Sequence, residues 1–144
     1  MDYLKVLVEE IHSVVVATVD ETGHPHTAVM DMMWEDGKTV YFLTADFKPL
    51  YKRLKEDGRV AVTGMTQGAG TMDRKSISLT GQVEWIGKEH LEELLKANPY
   101  MYEIYPTEEG RSHLQVFRFK NAVGNFYDLT QLPPYQARFE IEGR

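Results

Sequence analysis

Thr44 and Lys48 flank the start of "TADFKPLYKRL" (44–54), and their spacing is where the sequence offers binding chemistry. Phe47, Leu50, Tyr51 and Leu54 recur at i, i+3, i+4 and i+7, which predicts an amphipathic helix over 47–57. Asp46 is the expected N-cap, and Pro49 is tolerated in the first turn, where backbone N–H groups lack helical partners anyway. A helix start with free N–H groups, a hydroxyl before it and an ammonium at its mouth is suited to holding an anion. The plainer alternative is a capped helix with a solvated lysine.

Other constellations carry less. His24 and His26 flank Pro25, and an i, i+2 pair projects to one face of a strand. Two imidazoles are too few for a structural zinc site, so no metal is expected. The chain has no cysteine, which removes disulfides, thiolate ligands and a cysteine nucleophile. No GxSxG elbow marks a serine nucleophile, and no pair of carboxylates is set for acid–base work. Asp31 is the one odd acid, inside an apolar strand, and is expected to face solvent or to end a pairing run. "GMTQGAGTMD" lacks the Gly-Lys-Ser/Thr of a phosphate loop and precedes a strand rather than a helix, so it reads as a loop or bulge. Phe117, Phe119, Phe126 and Tyr127 are core by default, as strand aromatics usually are.

These residues need elements to position them. "DYLKVLVEEIH" reads as a short helix with Asp2 as cap, and "SVVVATVD" as a strand apolar on both faces. "HTAVMDMMW" and "TVYFLT" are strands joined by "EDGK", a strong hairpin signal. Gly58 stops the helix before the strand "RVAVTGM". "RKSISLTGQVEWI" alternates well, "KEHLEELLKAN" is a helix, and "HLQVFRFKNAVGNFYDL" is one long strand or two meeting near Asn121. An edge strand is expected over 138–141 in the tail. Hairpin-linked strands with one helix inserted after the third argue for a mainly β fold, an antiparallel sheet closed into a barrel, as a single domain over 1–144. The 144 residues are 42% hydrophobic and 26% charged, ordinary for a globular chain. A formal charge of −6 argues against a nucleic-acid binder. The N-terminus has neither a basic n-region nor a cleavage site, and no apolar run is long enough to span a bilayer, so a cytoplasmic location is the expectation.

The ordered set "VVVATVDETGHPHTAVMDMMWEDGKTVYFLTADFKPLYKRLKEDGRVAVTG" and "KSISLTGQVEW" resembles the pyridoxamine 5′-phosphate oxidase-like family of FMN-binding split β-barrels. The resemblance covers residues 13–86, and "NPYMYEIYP" with "VGNFYDL" extends it to about residue 129. Lys48-Pro-Leu-Tyr51 is similar to a Lys-x-x-Tyr pattern of small bacterial members. The resemblance implies a six-stranded Greek-key split barrel and a homodimer with two FMN molecules at its interface. It implies that the second strand, here Ala28 and Val29, runs beside the isoalloxazine. Leu43 and Thr44 would contact the cofactor from the end of the third strand, and Lys48 its phosphate. Ser76 falls where a polar side chain reaches FMN, and Phe126 and Tyr127 are candidates for packing near the flavin ring from the partner.

This sequence departs from the family pattern at Ala28, where an arginine is common, and at Lys48-Pro49-Leu50, where Ser-Arg-Lys is common. Each lost charge-assisted contact is worth roughly 1.5–3 kcal/mol, leaving Lys48 with help from Lys52, Arg53, Arg74 or Lys75. The tail "PPYQARFEIEGR" has no tryptophan, so the resemblance does not extend to the vitamin oxidase itself. The implied function is a flavin-dependent oxidoreductase acting on a small molecule, with the flavin carrying the electron chemistry and no side-chain nucleophile. The alternatives are a non-catalytic module that binds or stores flavin or haem, and a deazaflavin-dependent reductase on the same barrel.

Overall fold

The computed structural model describes residues 1–142. Its elements in chain order are α1 (Tyr3–Lys5), running on into a π-helical segment Val6–Ile11, β1 (Ser13–Val19), β2 (Pro25–Asp31), β3 (Trp34–Glu35) and β4 (Val40–Ala45). α2 (Pro49–Glu56), β5 (Arg59–Met65) and β6 (Lys75–Gly87) follow. α3 (Leu91–Ala97), α4 (Met101–Ile104) and α5 (Glu108–Arg111) lead into β7 (Leu114–Asp128) and β8 (Tyr135–Glu142).

The strands form one antiparallel sheet ordered β2-β1-β5-β6-β7-β4-β3, with β8 added to β7. β2 and β3 are halves of one bent run: the first pairs with β1 and the second with β4, with Met33 N–H bonded to Tyr41 C=O at 2.9 Å. That bend brings the two ends of the sheet together, so the ring has the six strands expected, and β8 lies outside it. Gly37, at φ 88°, makes the "EDGK" turn between β3 and β4. Among the described residues no helix is long and apolar enough to cross a membrane.

Alternation fills the ring. Val14, Val16, Val60, Val62, Ile77 and Leu79 point inward and join Phe42, Phe117 and Phe119 in the main core. Phe42 and Phe117 stack with centroids 5.8 Å apart, and each ring buried this fully is worth about 1.5–3 kcal/mol. β4 is buried on both faces, because Val40 and Phe42 face the ring while Tyr41, Leu43 and Ala45 lie in a second cluster with Leu94, Leu95 and Met101. β1, by contrast, is not buried on both sides: Val15, on its outer face, is 40% exposed.

Two local expectations are corrected, and the choice left open for the C-terminal strand is resolved. The helix begins at Pro49, with Lys48 in the N-cap position and no side-chain cap, because Asp46 is committed to His113 and Gln115. Phe47 therefore precedes the helix and is exposed. Gly58 earns its place through close approach: a Cβ there would stand 2.4 Å from the Val83 carbonyl oxygen of β6. The long C-terminal strand is single, with its irregularity next to Asn121, where the register against β6 shifts between Gln82 and Val83.

Candidate functional site

A cleft of about 470 Å³ opens where β2, the end of β4 and the start of α2 meet, with α4 along one side. β4 is antiparallel to β3 and ends at Ala45, where Lys48 N–H turns back to Ala45 C=O at 3.1 Å. Thr44 is thus the last ring-facing residue of its strand and sits at the rim. It is only 4% exposed, yet its hydroxyl makes no hydrogen bond within the described residues. A rim hydroxyl without an internal partner is a donor and acceptor available to a ligand.

Two cations line the same cleft. Lys48 is exposed and makes no ion pair among the described residues. Arg53, one turn further along α2, is half-buried and donates through Nε to Thr18 Oγ1 at 2.8 Å, which leaves its terminal nitrogens for a ligand. The neighbouring acid does not neutralise Lys48. Asp46 accepts from His113 Nδ1 at 2.8 Å and from Gln115 Nε2 at 3.3 Å, and the His113 hydrogen bond first among causes lowers its pKa from the ordinary carboxylate value. The backbone contributes little: Pro49 has no N–H and Tyr51 N–H is bonded to Lys48 C=O at 3.1 Å. Charge at this site comes from side chains more than from the helix end.

Ala28, Val29, Leu43, Thr44 and Lys48 all line this cleft. Ser76 does not: it pairs with Met65 and with Tyr127 across the sheet. Tyr127 is 36% exposed on that same outer surface. Phe126 is a core residue, 1% exposed, with its ring 5.1 Å from that of Tyr3, so within the chain it has no free face to offer a ligand. Arg74 and Lys75 are also elsewhere, engaged with Gly68 and Glu10. His24 closes the β1–β2 turn and His26 opens β2 opposite Thr18, the backbone of one and the ring of the other tied to Asp20 at 3.0 and 2.8 Å, and no group of three or more metal-ligating side chains converges among the described residues.

Asp31 ends the pairing run of β2 against β1, opposite Ser13, which is one of its two expected placements. It lines the cleft, with Oδ1 accepting from Ser13 Oγ at 2.7 Å and Oδ2 accepting from the Tyr100 hydroxyl at 2.7 Å. Burial first, then the bond to Asp31, pushes the Tyr100 phenol well above its usual value. The sequence marks Asp31 as odd, but Tyr100 and His12, which complete the cluster, carry no local signal.

A six-stranded ring with a cationic cleft at its rim is the architecture of a split β-barrel, and the comparisons agree. The chain belongs to the pyridoxamine 5′-phosphate oxidase family, whose sequence profile matches residues 2–127. A NimC/NimA family protein from Clostridium acetobutylicum superposes with a TM-score of 0.76 at 20% identity, covering 97% of this chain and 95% of that one. A heme binding protein from Mycobacterium smegmatis gives 0.71 at 13% identity, covering 94% and 56%. A pyridoxamine 5′-phosphate oxidase-related, FMN binding protein from Nostoc punctiforme gives 0.61 at 11% identity, covering 90% and 85%. At these identities the structural likeness is one of fold. No curated protein matches the sequence.

Proposed function

We propose that the protein is an FMN-binding flavoprotein, working as a homodimer, that exchanges electrons between its flavin and a small molecule. The observation that carries this reading is the meeting in one cleft of Thr44, a hydroxyl without a partner among the described residues, with Lys48 and Arg53, two cations that form no ion pair among the described residues. A ribityl chain ending in a phosphate asks for that set: a hydroxyl for the polyol, and an ammonium and a guanidinium for the dianion. Arg53 supplies a positive group that Ala28, Pro49 and Leu50 do not. Ala28 and Val29 offer an apolar wall for the ring. When bound, the flavin supplies the redox chemistry, and the chain's residues hold and orient it.

The outer face of the sheet supports the dimer. The cross-strand rows Val29–Val15–Thr63–Ser78 and Thr27–Ala17–Ala61–Thr80 carry no charged side chain. Val29 is 74% exposed, and a continuous uncharged face of this kind marks an interaction surface. Val29 belongs both to this face and to the cleft, so a second copy seated there would cover the cofactor. Ser76 and Tyr127 share the outer surface and would approach the cleft of the other copy.

Haem is the weaker reading: among the described residues the cleft lining includes methionine and tyrosine but no histidine or cysteine as an axial ligand, and haem makes no use of paired cations aimed at a phosphate. The test is reconstitution of the purified protein with FMN, a deazaflavin and haem in parallel. Uptake of one FMN per chain, with the bound flavin reducible by dithionite and reoxidised by a small acceptor, supports the proposal. Preferential uptake of haem or deazaflavin overturns it.

A further inference from the structure

We propose that Asp31, Tyr100 and His12 form a proton relay, leading from the protein surface into the cleft and delivering a proton to the molecule held there. Its function rests on the flavin reading for the identity of that molecule, but its wiring is a property of this chain alone. The Tyr100 hydroxyl lies 2.8 Å from His12 Nε2 and 2.7 Å from Asp31 Oδ2. A phenol has one proton for these two neighbours. His12 Nδ1 lies 3.0 Å from the Val8 carbonyl, which can only accept, so Nδ1 carries a proton.

Two arrangements then satisfy every contact. In one, His12 Nε2–H donates to the Tyr100 oxygen, and Tyr100 O–H donates to the Asp31 carboxylate. In the other, protonated Asp31 donates to the Tyr100 oxygen, and Tyr100 O–H donates to a bare His12 Nε2. Both hold the same number of protons. Passing from the first to the second moves two protons one step each, converts an ion pair into two neutral groups, and leaves a carboxylic acid on the cleft wall. Donation from Asp31 to the bound molecule, followed by reprotonation of His12 from solvent, resets the chain.

The surroundings hold this geometry. Ser13 Oγ fixes the other Asp31 oxygen at 2.7 Å. His12 sits at φ 63°, a costly backbone for a side-chain-bearing residue, with its N–H bonded to Leu7 C=O at 2.8 Å and its C=O to Met32 N–H at 2.7 Å. The two ends have access: the His12 and Asp31 side chains are 29% and 27% exposed. His12 opens on a separate depression of about 440 Å³ that Glu9 and Glu35 also line, whereas Asp31 shares its cleft with Lys48 and Arg53.

The experiment compares two acceptors on dithionite-reduced, FMN-loaded protein. Converting 2-methyl-1,4-naphthoquinone to its hydroquinone takes two electrons and two protons: two electrons and one proton from the reduced flavin, and the second proton from Asp31. Ferricyanide takes electrons alone. Asp31→Asn and Tyr100→Phe are expected to slow quinone reduction about 100-fold while leaving ferricyanide reduction within about twofold of wild type. In the flavin-free protein with nitrogen-labelled histidine, proton NMR is expected to show a downfield, exchange-protected proton in the hydrogen bond between His12 Nε2 and the Tyr100 oxygen, lost in Tyr100→Phe and shifted in Asp31→Asn. Equal slowing with both acceptors, slowing with neither, or a His12–Tyr100 proton resonance unmoved by Asp31→Asn overturns the relay. A protein that takes up no FMN overturns the flavin reading instead, and the flavin-free spectrum then decides the relay by itself.

Discussion

Arg53 Nε donates a 2.8 Å hydrogen bond to Thr18 Oγ1, tying α2 to β1 through a threonine that is 3% exposed. The bond fixes the guanidinium at the cleft before any ligand arrives, which reduces the ordering cost of binding. A charge-assisted phosphate contact is worth about 1.5–3 kcal/mol, or roughly 10–100-fold in affinity. Lys48→Ala and Arg53→Ala should each weaken FMN by that factor and change riboflavin little, since riboflavin has no phosphate. Arg53→Lys should not restore affinity, because an ammonium lacks the planar fork that bonds Thr18 and phosphate together. Fluorescence titrations with both ligands check this, and equal losses for FMN and riboflavin would place these cations away from the phosphate.

Thr44→Val keeps the shape of a rim residue and removes its hydroxyl. FMN affinity should fall about fivefold to tenfold, the worth of one neutral hydrogen bond. Thermal stability of the unloaded protein should hold, because the hydroxyl has no partner within the described residues. A variant that loses stability without losing affinity would show that Thr44 serves the fold and not the ligand.

The uncharged outer face predicts a two-fold assembly of 16.6 kDa chains. Val29→Asp places a carboxylate at a residue that is 74% exposed in the single chain, so folding should be unaffected while association fails. Light scattering should report a dimer for the wild type and a monomer for the variant. A monomeric wild type at micromolar concentration would remove the shared site.

Alkaline pH should reveal the buried phenols. Tyr41 is 1% exposed and donates to Asp36 Oδ2 at 2.7 Å; burial first, then that bond, pushes its pKa up to about 12. An unfolded tyrosine ionises near pH ~10. The folded-state value is raised, so this contribution to stability is full below about pH 10 and is lost as pH rises toward 12. Urea midpoints should fall across that window, and Tyr41→Phe should flatten the fall. An unchanged slope in the variant would assign the alkaline transition to other groups.

Much of the barrel is legible in local patterns. The "EDGK" turn, the Ile77–Leu79 alternation and the Thr44-to-Lys48 exit from β4 are signals spanning a few residues, and backbone geometry follows them closely. What local pattern misses is partnership over distance. Arg53 meets Thr18 across 35 residues of sequence, Tyr100 meets Asp31 across 69, and His12 meets Tyr100 across 88. Ring closure brings these pairs together, and no periodicity encodes them. Asp46 misleads for the same reason: its sequence context is that of a cap, but His113, 67 residues away, claims the carboxylate.

The most direct measurement is a crystal structure of the protein soaked with FMN. Density for the phosphate within about 4 Å of Lys48 Nζ and the Arg53 guanidinium, with the ring beside Ala28 and Val29, is the expected result. FMN bound elsewhere on the barrel, or a cleft that stays empty at saturating FMN, would contradict it.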